Sequence, residues 1–365
     1  MTSDIPLIKR LISHGYDINA VESDRETTVY YVARSLGQGL YDVRVLKTLC
    51  DEGADVNFVP EGAALHTSIL HDLILGHIAD PSSLPARMDA LKLLLKYGAS
   101  LRLALHSVGK SPGCIPFIKV LLDAGADIEE LWNGMTPLTW AALHKNVKVV
   151  QALLDAGANV NGAGHPALFA AIQPRKDHHV YAPTTVATMK ALCDAGADMK
   201  TLNHHNHSLL SYALTMSGND TKRFRTWDTV PAVLKALCRA GCDVNFHHHG
   251  ILFSDAEEEG NTPLHMASSA RTRVGCGDPS KVRAECLEIL ISYGADVNSQ
   301  NDQGQTPLHS AVSQSELACA QVLLKHGSRM DVKDVDGRTP LMLAQSMSDE
   351  TTNSEMVALL MEKEA

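Results

Sequence analysis

A glycine followed by a short polar tail recurs along this chain and constrains its fold more than any other feature. Most of these glycines precede a small residue, a polar residue and an aliphatic one, as in Gly294-Ala-Asp-Val-Asn298. The stretch before each glycine has apolar residues at helical spacing. Glycine just beyond a helix can adopt the left-handed backbone that ends it. The sequence therefore predicts a row of similar helical copies, ending at Gly15, Gly53, Gly98, Gly125, Gly157, Gly196, Gly241, Gly294 and Gly327.

A second motif marks the start of another helix within several copies. Thr136, Thr262, Thr306 and Thr339 are each followed by Pro-Leu and then by a stretch that contains alanine. A threonine hydroxyl can cap the first backbone N–H groups of a helix, and proline fits the first turn because its missing N–H would have no partner there. Each copy is therefore predicted to contain a first helix, a turn, a second helix and a polar loop, here called the finger.

The Thr-Pro-Leu-His start, the leucine-rich second helix and the Gly-Ala-Asp-Val-Asn tail together resemble the ankyrin repeat. The spacing agrees, since Gly294 and Gly327 lie 33 residues apart, which is the length typical of that family. The resemblance implies an all-α ankyrin-repeat solenoid of stacked helix-turn-helix repeats with β-turn fingers, in one domain over residues 1–365. The predicted repeats are 1–19 (a half repeat that caps the array), 24–57, 65–101, 102–129 (degenerate), 132–161, 163–200, 204–245, 259–298, 302–331 and 335–365 (the C-terminal cap).

Composition narrows the functional classes. The formal net charge of -10 disfavours nonspecific binding to DNA or RNA, so no direct nucleic-acid partner is expected. No apolar run is long enough to predict a membrane span, and a cytoplasmic or nuclear location is expected. Cys50, Cys193 and Cys238 lie three residues before a repeat glycine, where other repeats have leucine or isoleucine. They are predicted to be small core residues.

Three consecutive repeats carry insertions in the turn between their two helices. The extra residues fall at roughly 173–185, 215–231 and 269–281, and the second insertion is basic and aromatic. Insertions on one face of a repeat array commonly build a binding surface. We predict that they contact a partner, with an acidic segment as one candidate. Solvated loops whose aromatic residues fold over helix ends are the alternative. The residues predicted to contact the partner are Arg223, Arg225 and Trp227.

Individual aromatic residues matter because the chain has few of them. Trp132 lies at a finger tip before Asn133-Gly134. It is predicted either to anchor a partner, since tryptophan is enriched in binding hot spots, or to pack locally. Trp140 and Tyr212 lie in first helices where a leucine is usual, and both are predicted to be packing residues. The family resemblance further implies that His265 and His309 hydrogen-bond within and between neighbouring turns.

Histidines in two neighbouring fingers raise an alternative function. His204 and His205 lie in one finger, and His247 and His249 lie in the next, within the stretch 246–261 that holds an insertion. In an extended finger His247 and His249 would point to the same side, as two ligands of one ion should. Zinc, copper or ferrous iron could bind there, which would suit a metal-dependent enzyme or a metal sensor. Solvated finger histidines are the other interpretation.

Catalytic patterns are otherwise weak. Gly109-Lys110-Ser111 resembles the end of a phosphate-binding loop, but the first glycine of that motif is absent, so we interpret it as a turn between helices. We therefore predict a protein that is not an enzyme and needs no cofactor. The expected function is that of an adaptor, a regulatory subunit or a transcriptional coregulator, which binds one or more proteins through its fingers and inserted loops.

Overall fold

The chain divides by its internal contacts into two compact bodies, Met1–Gly164 and His165–Ala365, and each is described by itself. In the part of the chain described here, no helix is both long and apolar enough to cross a membrane. The computed structural model describes residues 5–21, 26–36, 41–58, 68–75, 81–173, 182–215, 230–248, 260–269, 279–347 and 352–364.

The N-terminal body is built from paired α-helices. First helices pack on one another in chain order, with α2 on α4, α4 on α6 and α6 on α8. The second helices pack alongside, as α3 does on α5 and α7 on α9. Two short 3-10 turns, Pro81–Ser83 and Pro112–Cys114, precede α5 and α7. The helices are α1 Ile5–Ser13, α2 Thr28–Leu36, α3 Val43–Asp51, α4 Ile69–Leu75, α5 Leu84–Lys96, α6 Ala104–Val108, α7 Ile115–Asp123, α8 Pro137–Leu143 and α9 Val147–Asp155.

The C-terminal body repeats this arrangement. Its first helices pack in the order α10, α12, α14, α16 and α18, and its second helices in the order α11, α13, α15, α17 and α19. Across the described residues of both bodies the β-structure is limited to isolated bridges, so the predicted all-α class is confirmed. The helices are α10 Ala167–Ile172, α11 Ala182–Asp194, α12 Leu209–Thr215, α13 Val230–Arg239, α14 Pro263–Ser268, α15 Pro279–Ser292, α16 Pro307–Ser313, α17 Leu317–Lys325, α18 Pro340–Ser346 and α19 Thr352–Glu364.

The two sequence motifs form the helix ends predicted for them. Thr136 caps α8, because its Oγ1 accepts the Thr139 N–H at 3.2 Å. All nine repeat glycines have positive φ, between 81° and 96°. After α9, Gly157 N–H donates to Leu154 O at 2.9 Å and Ala158 N–H to Leu153 O at 3.0 Å, which closes the helix.

In several repeats the asparagine at the end of the glycine tail ties the repeat to the next one. Asn57 Nδ2 donates to Gly98 O at 3.0 Å, and Asn57 Oδ1 accepts the Ser100 N–H at 2.7 Å. Asn245 and Asn298 make the same pair of bonds to the following repeat. Both the helix end and the contacts between repeats therefore explain why the motif recurs along the chain.

The shared cysteine position is a core position in two of the three repeats. Cys50 and Cys238 are buried, and burial raises the pKa of each thiol to about 11. Cys193 is half-buried. All three are free thiols. Their pKa values keep the two buried thiols protonated and unreactive at neutral pH.

The longer repeats place most of their extra residues between the two helices, but 182–185, 230–231 and 279–281 of the predicted insertions belong to the second helices α11, α13 and α15. Helix α10 ends at Ile172 and α11 begins at Ala182, and the gaps from α12 to α13 and from α14 to α15 are of the same kind. The second predicted insertion contains Arg223, Arg225 and Trp227, which lie outside the described residues. The degenerate repeat at 102–129 still forms two helices, α6 and α7.

Candidate functional site

The finger before α8 is a tight two-residue turn that presents Trp132. Trp132 N–H donates to Met135 O and Met135 N–H donates to Trp132 O, both at 2.9 Å. Asn133 and Gly134 between them have φ of 49° and 72°. Positive φ at both central residues is the geometry of a type I′ turn, which favours Asn-Gly. The predicted finger-tip position of Trp132 is therefore what the structure shows.

Trp132 packs on aromatic residues of the neighbouring first helices. Its ring centroid lies 4.5 Å from that of Trp140, with an interplanar angle of 71°. Trp140 in turn lies 4.9 Å from His144, and His106 of α6 lies 6.2 Å from Trp132. Both tryptophans are half-buried. We call Trp132, Trp140, His144 and His106 the aromatic cluster.

Trp140 packs against the finger and not into the helical core. Ala141 and Ala142 of α8 are fully buried in the core, whereas Trp140 lies on the side of the helix that faces the finger. Trp140 is thus a packing residue, but one that supports Trp132 rather than the helical core. Tyr212 is buried and packs its ring 5.1 Å from that of Phe169, as expected for a packing residue.

Buried histidines of the first helices α14 and α16 connect these two helices to the finger that follows each of them. His265 Nδ1 accepts from Thr262 Oγ1 at 2.8 Å, and His265 Nε2 donates to Gln305 O at 2.9 Å. His309 makes the same bonds to Thr306 and to Arg338 O. Burial lowers the pKa of His265 to about 4, so the ring is neutral at physiological pH. The hydrogen bonds implied by the family resemblance are confirmed.

His106 has the same role and was missed from the sequence. Its Nε2 donates to Met135 O at 3.0 Å, which holds the base of the Trp132 finger. Helix α6 lacks a Thr-Pro-Leu start, so no motif marked this histidine. Counting back from the repeat glycine would not have found it either, because His106 lies 19 residues before Gly125, whereas His309 lies 18 residues before Gly327.

The finger histidines meet in a different combination from the one predicted. His204 and His205 are exposed, with ring centroids 3.9 Å apart. His247 is exposed, and its Nδ1 donates to Gly260 O at 3.0 Å. The ring that faces the preceding finger is His248, which is fully buried and lies 4.9 Å from His207.

Backbone alternation explains this difference. His248 pairs with Asn261 in a β-bridge, so its side chain points inward and the side chain of His247 points outward. His249 lies outside the described residues. Among the residues that are described, no group of three or more His, Cys, Asp or Glu side chains could hold a metal ion. The described residues alone therefore do not form the metal site that this alternative requires.

The C-terminal body carries a groove between two fingers and the first helices. It encloses about 450 Å³ and is mostly polar. The fingers on its rim pair with each other, since Val335 N–H donates to Gln303 O at 2.9 Å. No sequence motif marked this surface. Its lining residues include Leu214, Asn261, Met266, Asn301, Gln303, Gln305, Ser310, Gln314, Asp334, Val335, Asp336 and Arg338.

The run Gly109-Lys-Ser-Pro-Gly113 spells the Gly-x-Ser-x-Gly pattern of a hydrolase nucleophile elbow as well as part of a phosphate loop. An elbow requires a strand before the serine and a helix after it. Here the run follows helix α6 and leads into the 3-10 turn Pro112–Cys114. The Gly113 N–H of that turn donates to Ser111 Oγ at 3.4 Å. The run is a turn between helices, as expected.

Known families and structures agree with this architecture. The family model described as ankyrin repeats (3 copies) matches residues 77–164, 105–200 and 280–365, which together make up more than half of the chain. The chain belongs to the ankyrin-repeat family. Arrays of this kind are protein-interaction domains, and the fold is generally noncatalytic.

Individual relatives match over shorter segments. Rabankyrin-5 of Homo sapiens is 36% identical over 75 residues, which cover 20% of this chain and 6% of that protein. The B-cell lymphoma 3 protein homolog of Mus musculus is 33% identical over 115 residues, covering 30% of this chain and 23% of that protein. The crystal structure of the ankyrin repeat domain of Bcl-3, a member of the IkappaB protein family, has a TM-score of 0.52 at 20% identity. That similarity covers 72% of this chain and 99% of that domain, and it shows a shared fold.

Proposed function

We propose that this chain is a noncatalytic adaptor or regulatory subunit that binds a partner protein through its fingers. The surface at the aromatic cluster is the observation that carries this proposal. Trp132 is half-buried at a finger tip, and the adjacent Leu131 is 49% exposed. Large apolar side chains on a rigid, partly exposed turn are typical of the residues that dominate binding energy.

The finger is held in place without help from a partner. Its turn is closed by two backbone hydrogen bonds, and His106 binds the carbonyl oxygen of Met135. The Trp140 ring supports Trp132 from behind at a centroid distance of 4.5 Å. A surface that is already ordered loses little conformational entropy when a partner binds, which favours affinity.

A second contact is proposed at the inserted loop that contains Arg223, Arg225 and Trp227. The basic residues there stand out on a chain of net charge -10. They suit an acidic segment of the partner, because opposite charges on two surfaces speed encounter and set orientation. This contact rests on the sequence alone.

The biological setting is proposed from the same features. A cytoplasmic or nuclear protein that regulates a transcriptional or signalling complex would use an interaction surface of this kind. The 33% identity to the B-cell lymphoma 3 protein homolog over 115 residues supports such a role. No direct contact with nucleic acid or membrane is proposed.

Affinity capture from cell lysate tests the proposal. The immobilised chain is compared with Leu131→Ala and Trp132→Ala, and Tyr16→Ala serves as the control because Tyr16 is exposed in the first repeat, 1–19, and Trp132 lies in the repeat at 132–161. A defined partner should be captured by wild type and by Tyr16→Ala. Its recovery should fall roughly 10-fold or more with Trp132→Ala, the loss typical of a hot-spot residue.

Leu131→Ala separates binding from folding. Because Leu131 is exposed, its truncation should leave the thermal unfolding curve unchanged while lowering partner recovery. A partner that is retained equally by all four proteins would contradict the proposed surface. Failure to capture any specific partner with wild type would contradict the adaptor function itself.

A further inference from the structure

Helix α1, the second helix of the first repeat, exposes two leucines at positions that the later repeats bury. Each of the nine copies that end in a repeat glycine has leucine four residues before that glycine. Leu11 of α1 is 48% exposed, and Leu7, one turn earlier, is 51% exposed. In the eight later copies the residue at the Leu7 position is at most 4% exposed, and the leucine at the Leu11 position is at most 2% exposed. These eight leucines are Leu49, Leu94, Leu121, Leu153, Leu192, Leu237, Leu290 and Leu323.

The exposure of α1 follows from a missing neighbour. From α3 onward each second helix packs on the first helix of its own repeat, as α3 does on α2 and α9 does on α8. In the described part of the chain no helix precedes α1, which packs on α3. Leu7 and Leu11 therefore mark the side of α1 on which a first helix would lie.

A mainly apolar cleft adjoins α1. It encloses about 480 Å³ between α1, α2 and α3. Ile8 of α1, Tyr31 and Val32 of α2, and Val45 and Leu49 of α3 line it, and the start of α2 adds polar side chains. Covering this cleft together with the two leucines would remove apolar surface from water, which favours binding.

Three segments that adjoin these elements in sequence, 1–4, 22–25 and 37–40, lie outside the described residues. The ligand chemistry proposed below therefore depends on the apolar side chains of α1, α2 and α3 and not on charge.

The later repeats show which kind of helix fits beside a second helix. The first helices α8 and α16 are each seven residues long. Helix α8 buries Leu138, Ala141 and Ala142, each at most 1% exposed, and α16 has the same pattern with valine in the last position. Residues at this spacing lie on one face of a helix, and the small ones allow a neighbouring helix to approach closely.

We propose that the open side of α1 binds an α-helix of about two turns from a partner protein, in which a large aliphatic residue is followed three and four positions later by small residues. The bound helix covers Leu7 and Leu11 and extends the column of first helices α2, α4, α6 and α8. A second copy of α1 fits less well, because it has leucine and not a small residue four positions after Leu7. The inference rests on the proposed interaction function, since the ligand is a protein, but it uses a different repeat from Trp132.

A chimera with the site already filled provides a control. Helix α17 begins at Leu317 and α1 at Ile5, each ten residues before a repeat glycine. Residues 305–316, which contain α16 and the turn after it, can therefore replace residues 1–4 in register. The added helix should cover Leu7 and Leu11 and raise the midpoint of thermal unfolding by about 3 °C or more. A midpoint at or below that of wild type would overturn the inference.

Selection of helical ligands tests binding itself. A phage library that displays randomised two-turn helices on a helical scaffold protein is selected on the immobilised chain, and affinities are measured by fluorescence anisotropy. Enriched helices should carry the large aliphatic residue and the two small residues at the proposed spacing. Leu7→Ala combined with Leu11→Ala should weaken their binding about tenfold or more, and the chimera should not bind them.

Leu202→Ala is the matched control, because Leu202 is an exposed leucine in a finger of the C-terminal body. It should leave the affinity unchanged, and thermal unfolding should show that all leucine variants remain folded. Absence of any enriched helix, helices that also bind the chimera, or a change of less than about twofold in the double variant would each overturn the inference.

Two further outcomes would assign the face or the ligand differently. Self-association of wild type that is lost in the double variant, measured by analytical ultracentrifugation, would place a second copy on this face and overturn the assignment of a partner helix. Helices that depend on Trp132 and not on Leu7 and Leu11 would also overturn it, while supporting the proposed function.

Discussion

Replacing Gly109 by alanine tests whether the aromatic cluster is packed as described. Gly109 is buried at the end of α6 with φ of -55° and ψ of -24°, a helical conformation that alanine adopts easily. At a site with free space, Gly→Ala would stabilise the fold by about 0.4–1 kcal/mol through the unfolded chain. At Gly109 there is no free space, since an added Cβ would lie 2.8 Å from Trp140 Cδ1.

The indole of Trp140 has little room to retreat. Trp132 and His144 hold it at centroid distances of 4.5 and 4.9 Å, and the added Cβ would also lie 3.3 Å from Ala141 N. Overpacking of this kind costs about 1–3 kcal/mol. Set against the gain from the unfolded state, Gly109→Ala should lower the free energy of unfolding by about 1–2 kcal/mol.

Gly113→Ala is the matched control, because its Cβ would meet only Ser111 Oγ, at 3.6 Å. Urea denaturation followed by circular dichroism gives the free energy of unfolding. Tryptophan fluorescence, measured in a Trp227→Phe background, reports on Trp132 and Trp140. Gly109→Ala should lower the free energy of unfolding and shift the tryptophan emission spectrum. Gly113→Ala should not lower the free energy of unfolding and should leave the emission spectrum unchanged. If the two variants are equally stable with the same emission, the packing described for Trp140 is wrong.

Two further predictions concern the histidines. Burial holds the pKa of His265 at about 4, below its ordinary value near 6.5, so the unfolded chain binds protons more readily and stability falls as pH drops below 6.5. Between pH 7.5 and pH 5 this group alone should cost about 2 kcal/mol. His265→Thr introduces the residue that helix α8 has at the same position, Thr139. Over that pH range the free energy of unfolding of this variant, measured by urea denaturation, should fall by about 2 kcal/mol less than that of wild type. An equal loss in both proteins would show that His265 does not cause the acid sensitivity. Untagged protein should contain less than about one tenth of an equivalent of zinc, copper or iron by elemental analysis, because a stable site needs about four ligands. A full equivalent that disappears when His247 and His249 are both replaced by alanine would instead establish the metal alternative.

Local sequence signals predicted the repeats well because their causes are local. A helix end with positive φ favours glycine and a helix start favours Thr-Pro, so the roles of Gly157 and Thr136 could be predicted from their local sequence alone. The role of Asn57 could not be predicted from its local sequence, because its partners Gly98 and Ser100 belong to the next repeat. The motif showed that asparagine recurs but not which contact requires it.

The candidate surfaces were harder to predict. Trp132 could be found because tryptophan at an Asn-Gly turn is unusual, but its packing on Trp140 depends on how the finger approaches α8. The contact between His207 and His248 depends on which side of a short bridge each residue faces, and a shift of one residue inverts it. No sequence motif marks the groove of the C-terminal body, so it is visible only once the fingers and helices are in place.

Hydrogen exchange on the complex with a captured partner is the most direct test of the central claim. Backbone amides in the Trp132 finger and in α8 should exchange more slowly in the complex than in the free chain, and Tyr16→Ala should show the same protection. Protection confined to the second helices, such as α7 and α9, with no change in the finger, would contradict binding through the aromatic cluster.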